Sequence, residues 1–152
     1  VKNFDLIIMN AAVSDYKVKN RSQEKIKKTG DAINLELEQN PDILQEISSN
    51  KLSEQVIVGF AAETIDDDEQ LRIAAISKLK QKGCDVIFAN KVKKDQAMES
   101  PNNEFLMVTH EKTKKLELKN KLDLANEALD YLSALLVKVD SIKKSPVEPD
   151  LV

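Results

Sequence analysis

The chain has 152 residues, 41% of them apolar and 32% charged, with a formal net charge of −3. That length suits a single domain with its own core, and an acidic total removes any general electrostatic case for nucleic-acid binding. The lone Cys84 excludes an internal disulfide framework and fits a reducing, cytoplasmic setting. No apolar run approaches the length of a membrane span.

Val1-Lys2-Asn3-Phe4-Asp5 shows no signal peptide and leads at once into a strand, so the chain is expected to be the later part of a longer polypeptide. Asp5 to Val13 predicts a continuous apolar strand buried on both faces. Tyr16 to Lys28 carries a net charge of +5 and no helical apolar stripe, which predicts a mobile loop. Ala32 to Glu38 alternates apolar and polar residues, which predicts a half-exposed strand. Asn40-Pro41-Asp42 then starts a helix with Pro in its first turn, whose inner face is Ile43, Leu44 and Ile47. Gln55 to Ala61 is a second buried strand. The acids Asp66 to Glu69 open a helix running to about Lys82, with Leu71, Ala74, Ala75, Ile76 and Leu79 inward and Gly83 as its C-cap. Asp85 to Ala89 is a third buried strand. Phe105–Val108 and Lys115–Leu118 flank a short turn and predict a hairpin. Leu122 to Val139 predicts a last helix with Leu122, Ala125, Leu129, Leu132, Leu136 and Val139 on its inner stripe. Residues 140–152 are expected to form a flexible tail. Alternating strands and helices define an α/β fold: a Rossmann-like open, mainly parallel sheet with helices on both faces plus a β-hairpin extension, over residues 1–139.

In such sheets ligands bind beyond the carboxyl ends of the strands. Three exits combine small residues with a polar group: Asn10 to Asp15, Gly59 to Thr64, and Ala89-Asn90-Lys91. Asp15 suits a ribose or a metal, and equally a turn. Lys25-Ile26-Lys27-Lys28 suits a triphosphate beneath a closing loop, and equally a solvated charge run. Without aromatic residues between the lysines it is a poor nucleic-acid platform. Asn40 to Leu44 is either an anion or base-edge site at a helix start or an ordinary helix initiation. Phe60 either stacks on a base or fills the core. Lys78 and Lys82, four apart, share a helix face and either reach a phosphate or complement the helix dipole. His110 has no Asp or Ser partner nearby in sequence, and Cys84 reads as a small buried residue. No H-E-x-x-H or C-x-x-C spacing occurs, so no protein-ligated zinc is expected. Gly30, Gly59 and Gly83 are too scattered for a phosphate-cradling loop, which disfavours a nicotinamide-dependent oxidoreductase.

Five segments follow in order: Ala11-Ala12-Val13-Ser14-Asp15-Tyr16, Lys25-Ile26-Lys27-Lys28, Asn40-Pro41-Asp42-Ile43-Leu44, Gly59-Phe60-Ala61-Ala62-Glu63-Thr64 and Asp85-Val86-Ile87-Phe88-Ala89-Asn90. From about Leu6 to about Leu136 the chain resembles the phosphopantothenate–cysteine ligase family of coenzyme A biosynthesis. The resemblance implies that the carboxylate of 4′-phosphopantothenate is activated by CTP as an acyl-cytidylate, with Mg²⁺ assisting, and that the amine of cysteine then displaces CMP. It also implies that Met9, Asn10, Ala11 and Asp15 line the nucleotide and that Lys25 is a flap lysine needed for the second half-reaction. Pro41, Asp42, Ile43 and Leu44 would recognise cytosine, Phe60 would pack beside the nucleotide, and Lys78 and Lys82 would lie near it. A homodimer and a fused or separate flavin-dependent decarboxylase are the implied partners, with neither nucleic acid nor membrane. The family carries a Gly-rich and an Asn/Ser-rich segment upstream of the first motif. Neither G-G-T nor S-S-G occurs here, so the resemblance covers the carboxy-terminal two-thirds of the ligase domain. The chain alone is expected to bind nucleotide weakly or to be inactive. The alternative is a non-catalytic nucleotide-binding or dimerisation remnant.

Overall fold

A computed structural model describes residues 3–28, 30, 32–92 and 100–144. The elements in chain order are β1 (Leu6–Met9), β2 (Tyr16–Val18), β3 (Leu37–Gln39), α1 (Ile43–Ser49), β4 (Val56–Glu63), α2 (Asp68–Lys82), β5 (Val86–Lys91), β6 (Asn102–Thr109), β7 (Thr113–Asn120) and α3 (Lys121–Lys144). Five strands form one sheet in the order β1-β4-β5-β6-β7, while β2 and β3 pair separately as an antiparallel ribbon. β1, β4 and β5 are parallel, and β6 and β7 add antiparallel to them as a hairpin. This is the open α/β sheet with hairpin extension that the alternating pattern predicts.

The central strands are apolar in continuous runs because both faces are covered. On one face Val56, Val58, Val86, Phe88, Met107 and Leu116 pack against Leu124, Ala128 and Leu132 of α3. On the other, Ile57, Ala61, Ile87 and Ala89 pack against Leu71, Ala75 and Leu79 of α2. α2 starts on an Asp67 cap that accepts the Gln70 N–H and ends at Gly83, whose φ of +65° is the left-handed geometry glycine adopts without strain. α1 lies on the α2 face, where Gly59 lets it approach: a Cβ there would stand 2.6 Å from Leu44 Cδ2 and 2.9 Å from Ile87 Cδ1. At the start of β5, Asp85 ties three segments together. Its Oδ2 accepts the Ile57 N–H at 2.8 Å, its own N–H donates to the Ile57 carbonyl, and its Oδ1 holds the Lys51 ammonium.

Five sequence expectations are corrected. β1 stops at Met9 rather than Val13 and is an edge strand with Ile8 39% exposed, so it is not buried on both faces. The segment expected to be a loop from Tyr16 contains β2. The strand expected over Ala32 to Glu38 is confined to Leu37–Gln39. Its alternation does not report half-burial, since Ile33, Leu35 and Leu37 are all exposed. The inner stripe of α3 is Leu124, Ala128 and Leu132 with Tyr131, Leu135, Leu136 and Val139. Leu122 and Leu129 of the expected stripe are exposed. α3 also continues past Val139 to Lys144, so residues 140–144 of the tail expected over 140–152 are helical, and the rest of it, 145–152, lies outside the described residues.

Because α3 carries apolar residues beyond its sheet-facing stripe, a groove of about 450 Å³ stays open on its side of the sheet, lined by Ile8, Phe60, Phe105, Leu124 and Leu129 among others. Phe60, Phe88 and Phe105 stack there with ring centroids 5.6–5.8 Å apart. Among the described residues no helix is long and apolar enough to cross a membrane.

Candidate nucleotide site

β1 ends at Met9 opposite Gly59, whereas β4 continues through Phe60, Ala61, Ala62 and Glu63. Among the described residues nothing pairs with that overhang on the β1 side. The result is a notch at the carboxyl edge of the sheet, open to both faces. Met9 is half-buried at its floor, and Asn10 and Ala11 lead out of it exposed.

The chain leaving β1 is fastened to the start of α1. The Asn40 N–H donates to the Asp15 carbonyl at 2.8 Å, and Asn40 Nδ2 donates to the Ser14 carbonyl at 2.8 Å. Asn40 was given no separate role by the sequence reading, yet it makes this clamp. Asp42 is the N-cap of α1: its Oδ1 accepts the Gln45 N–H at 3.0 Å, while its Oδ2 pairs with the Lys82 ammonium. Pro41 therefore precedes the cap instead of occupying the first turn, and part of the donor capacity expected at this helix start is consumed by Asp42 itself. Leu44 is committed to packing over Gly59, while Ile43 is 39% exposed. One turn back along α2, Lys78 Nζ lies 2.6 Å from Oε1 of Glu63 at the end of β4.

Partial burial pushes the Asp42 carboxyl up, but the Lys82 hydrogen bond and charge, with the Gln45 and Leu44 amides, together hold it below its ordinary value. A lowered folded value means that the Asp42 contribution is present above the unfolded value, about 3.9. It fades as pH falls through the folded one. Asp42→Asn keeps a capping oxygen and removes the titration. Its stability deficit against wild type in urea melts is expected at pH 7 and shrinks toward pH 3; a deficit independent of pH would refute the linkage.

The structure thus brings Asp15, the Asn40–Leu44 segment, Lys82 and Lys78 along one side of the notch. It does not bring Phe60 to them. Phe60 points to the α3 face, 38% exposed in the aromatic cluster, so it is both partly core and the rim of the opposite side. Lys25, Lys27 and Lys28 are exposed between β2 and β3 and form no ion pair with any described residue. Glu63, within the Gly59–Thr64 segment, carries no role in the sequence expectations. A charged side chain closing an apolar strand at its carboxyl end was the available signal.

The third exit, Cys84 and His110 form no such opening. The third exit, at Asn90-Lys91, holds a hollow of only about 70 Å³. It is walled by the Lys91–Asp68 and Lys115–Glu104 ion pairs, and falls well short of the ~300 Å³ a small ligand needs. Cys84 is fully buried and its thiol is pushed up to about 11, chiefly by burial, which makes it inert rather than nucleophilic. His110 Nε2 lies 3.1 Å from the Cys84 carbonyl and anchors the β6–β7 turn to the start of β5.

An open sheet with parallel β1, β4 and β5 and helices on both faces, and a charged notch where its first strand ends, defines the class of Rossmann-like α/β domains. Within that class, the chain belongs to the family of DNA/pantothenate metabolism flavoprotein C-terminal domains, whose model matches residues 1–136. It is 38% identical over 132 residues to the coenzyme A biosynthesis bifunctional protein CoaBC of Haemophilus influenzae, a match covering 87% of this chain and 32% of that protein. The chain therefore spans about a third of the length of that curated relative. The crystal structure of the C-terminal domain of a CoaBC protein is 28% identical with a TM-score of 0.66, over 90% of this chain and 57% of that one. A Cab2 variant solved with phosphopantothenate-cysteine is 20% identical with a TM-score of 0.72, over 95% of this chain and 48% of that one, a likeness of fold.

Proposed function

We propose that this chain forms the carboxy-terminal part of a phosphopantothenate–cysteine ligase domain and binds CTP in the notch where β4 outruns β1. The single observation that carries the reading is the chain of contacts Asp15–Asn40, Asp42–Lys82 and Glu63–Lys78, which gathers residues far apart in sequence around one strand end. Because the notch opens to both faces, a nucleotide lying across the end of β1 can meet Asp42 on one side and Phe60 on the other. That accommodates their separation by the sheet.

Carboxylates are poor electrophiles because oxide leaves badly. Attack of the 4′-phosphopantothenate carboxylate on the α-phosphorus of CTP forms an acyl–phosphate bond and expels pyrophosphate. Attack of the cysteine amine on the acyl carbon then expels CMP, and the amine loses its proton. Both partners of the first step are anions, so Lys78 and Lys82 lower the repulsion. In this reading Asp15 accepts from the ribose hydroxyls. The exposed edge of Pro41, Asp42 and Ile43 faces the base, with Leu44 supporting it from beneath. Lys25 closes over the acyl-cytidylate and keeps water from it. Among the described residues no three His, Cys, Asp or Glu side chains converge on a point. Mg²⁺ therefore fits as an ion carried on the triphosphate, where it neutralises phosphate charge. The exposed apolar residues of the β2–β3 ribbon, Tyr16, Ile33, Leu35 and Leu37, favour a second copy as partner.

Calorimetric titration with CTP, ATP and NAD tests the reading, with sedimentation of the same samples reporting the dimer. CTP binding tighter than ATP supports the ligase. Absence of any nucleotide binding supports the remnant, preferential NAD binding an oxidoreductase, and a monomer mass at high concentration removes the dimer.

A further inference from the structure

The two α2 lysines of the notch are each held by a carboxylate from a different element. Lys82 is held by the α1 cap Asp42, and Lys78 by Glu63. Glu63 is built in more rigidly than an ordinary surface acid. It ends β4, its carbonyl accepts the Val92 N–H at 2.8 Å, and its side chain is only 18% exposed. Its neighbour in register on β5 is Lys91, the obvious counter-ion. Lys91 is turned outward instead, to the Asp66 carbonyl and the Asp68 carboxylate at the start of α2. Glu63 is thereby left to Lys78. Its Oε1 is shielded from solvent and touches the ammonium off the hydrogen-bonding direction, at 2.6 Å. A shielded carboxylate oxygen with a single, poorly directed partner is costly to keep unless it serves something beyond packing.

We propose that Glu63 is a positioning residue for the nucleotide site: it holds the Lys78 ammonium at the overhanging end of β4, where that cation meets the anionic phosphates of the nucleotide. This rests on the nucleotide reading above. An ammonium has three donors. Glu63 holds the ammonium by charge at 2.6 Å, and the Lys78 side chain remains 39% exposed, so its donors can face an arriving anion. Holding a long, flexible side chain in place before the ligand arrives removes an ordering cost from binding.

The test titrates CTP into wild type, Glu63→Gln, Lys78→Met and the double variant, with thermal midpoints recorded alongside. Glu63→Gln is expected to weaken binding about tenfold with little change in midpoint, the scale of one immobilised side chain. Lys78→Met is expected to weaken it at least as much, and the double variant no further than Lys78→Met, because Glu63 acts only through Lys78. Glu63→Asp, which keeps the charge but shortens its reach, is expected to fall between and serves if the glutamine variant does not fold. Loss with Lys78→Met but none with either Glu63 variant overturns this inference alone, as do additive losses in the double variant. Binding untouched by Lys78→Met removes Lys78 from the site. No CTP binding by wild type defeats the nucleotide reading itself.

Discussion

In a complete ligase domain carrying this chain, Lys25→Gln is expected to leave pyrophosphate release from CTP near wild type while slowing the ligation of cysteine by about a hundredfold or more, the scale of losing one charged group that acts in the reacting complex. Lys25 is exposed in the segment between β2 and β3 and is paired with no described residue. Nothing in the resting fold depends on it, so stability is expected to be unchanged. On the proposed reading its charge matters only when the segment folds over the bound intermediate, after the first half-reaction. A solvated charge run predicts no effect at all. A structural role predicts equal slowing of both steps. The comparison of pyrophosphate and product formation in the same reaction separates the three, and either of the last two results removes Lys25 from the chemistry.

The largest expected loss of stability comes from Asp85→Ala, about 2–3 kcal/mol in urea unfolding. The Asp85 carboxylate takes both the Ile57 N–H and the Lys51 ammonium, and Ile57 is completely buried. Truncation leaves a buried amide without an acceptor and a three-quarters-buried ammonium without its counter-charge. For a domain of this size that corresponds to a fall in melting temperature of roughly 5–10 °C. Asp85→Asn, which keeps an acceptor for the amide, is expected to lose less. A loss below about 0.5 kcal/mol for the alanine variant would mean that β4 and β5 are held by their ladder and core alone.

The sheet was legible because its strands speak in one register. Val56 to Val58 and Val86 to Ala89 are continuous apolar runs, and only a strand buried on both faces tolerates them. The bounds of α2 were legible for a similar reason: the Asp67 cap and Gly83 terminator act locally. The ribbon was not. Ile33, Leu35 and Leu37 alternate like a half-buried strand but are exposed, because alternation tells which residues share a side and not whether anything covers it. The α3 stripe was misplaced by a similar ambiguity: a helix rich in leucine offers two overlapping apolar faces, and the sheet selects Leu124, Ala128 and Leu132.

Five ordered motifs in the sequence were sufficient to suggest the family and to nominate Asp15 and Asp42, since each motif is a local string, while the four-residue spacing of Lys78 and Lys82 placed those two on one helix face. Tertiary structure alone decided that Asn40 clamps the exit of β1, that Glu63 anchors Lys78, and that Phe60 stands across the sheet from Asp42. The physical reason lies in strand geometry. Neighbouring positions on a strand face opposite ways. Gly59 and Phe60 are adjacent in the chain yet lie on opposite sides of the molecule, and which side holds α1 is settled only when the helices pack.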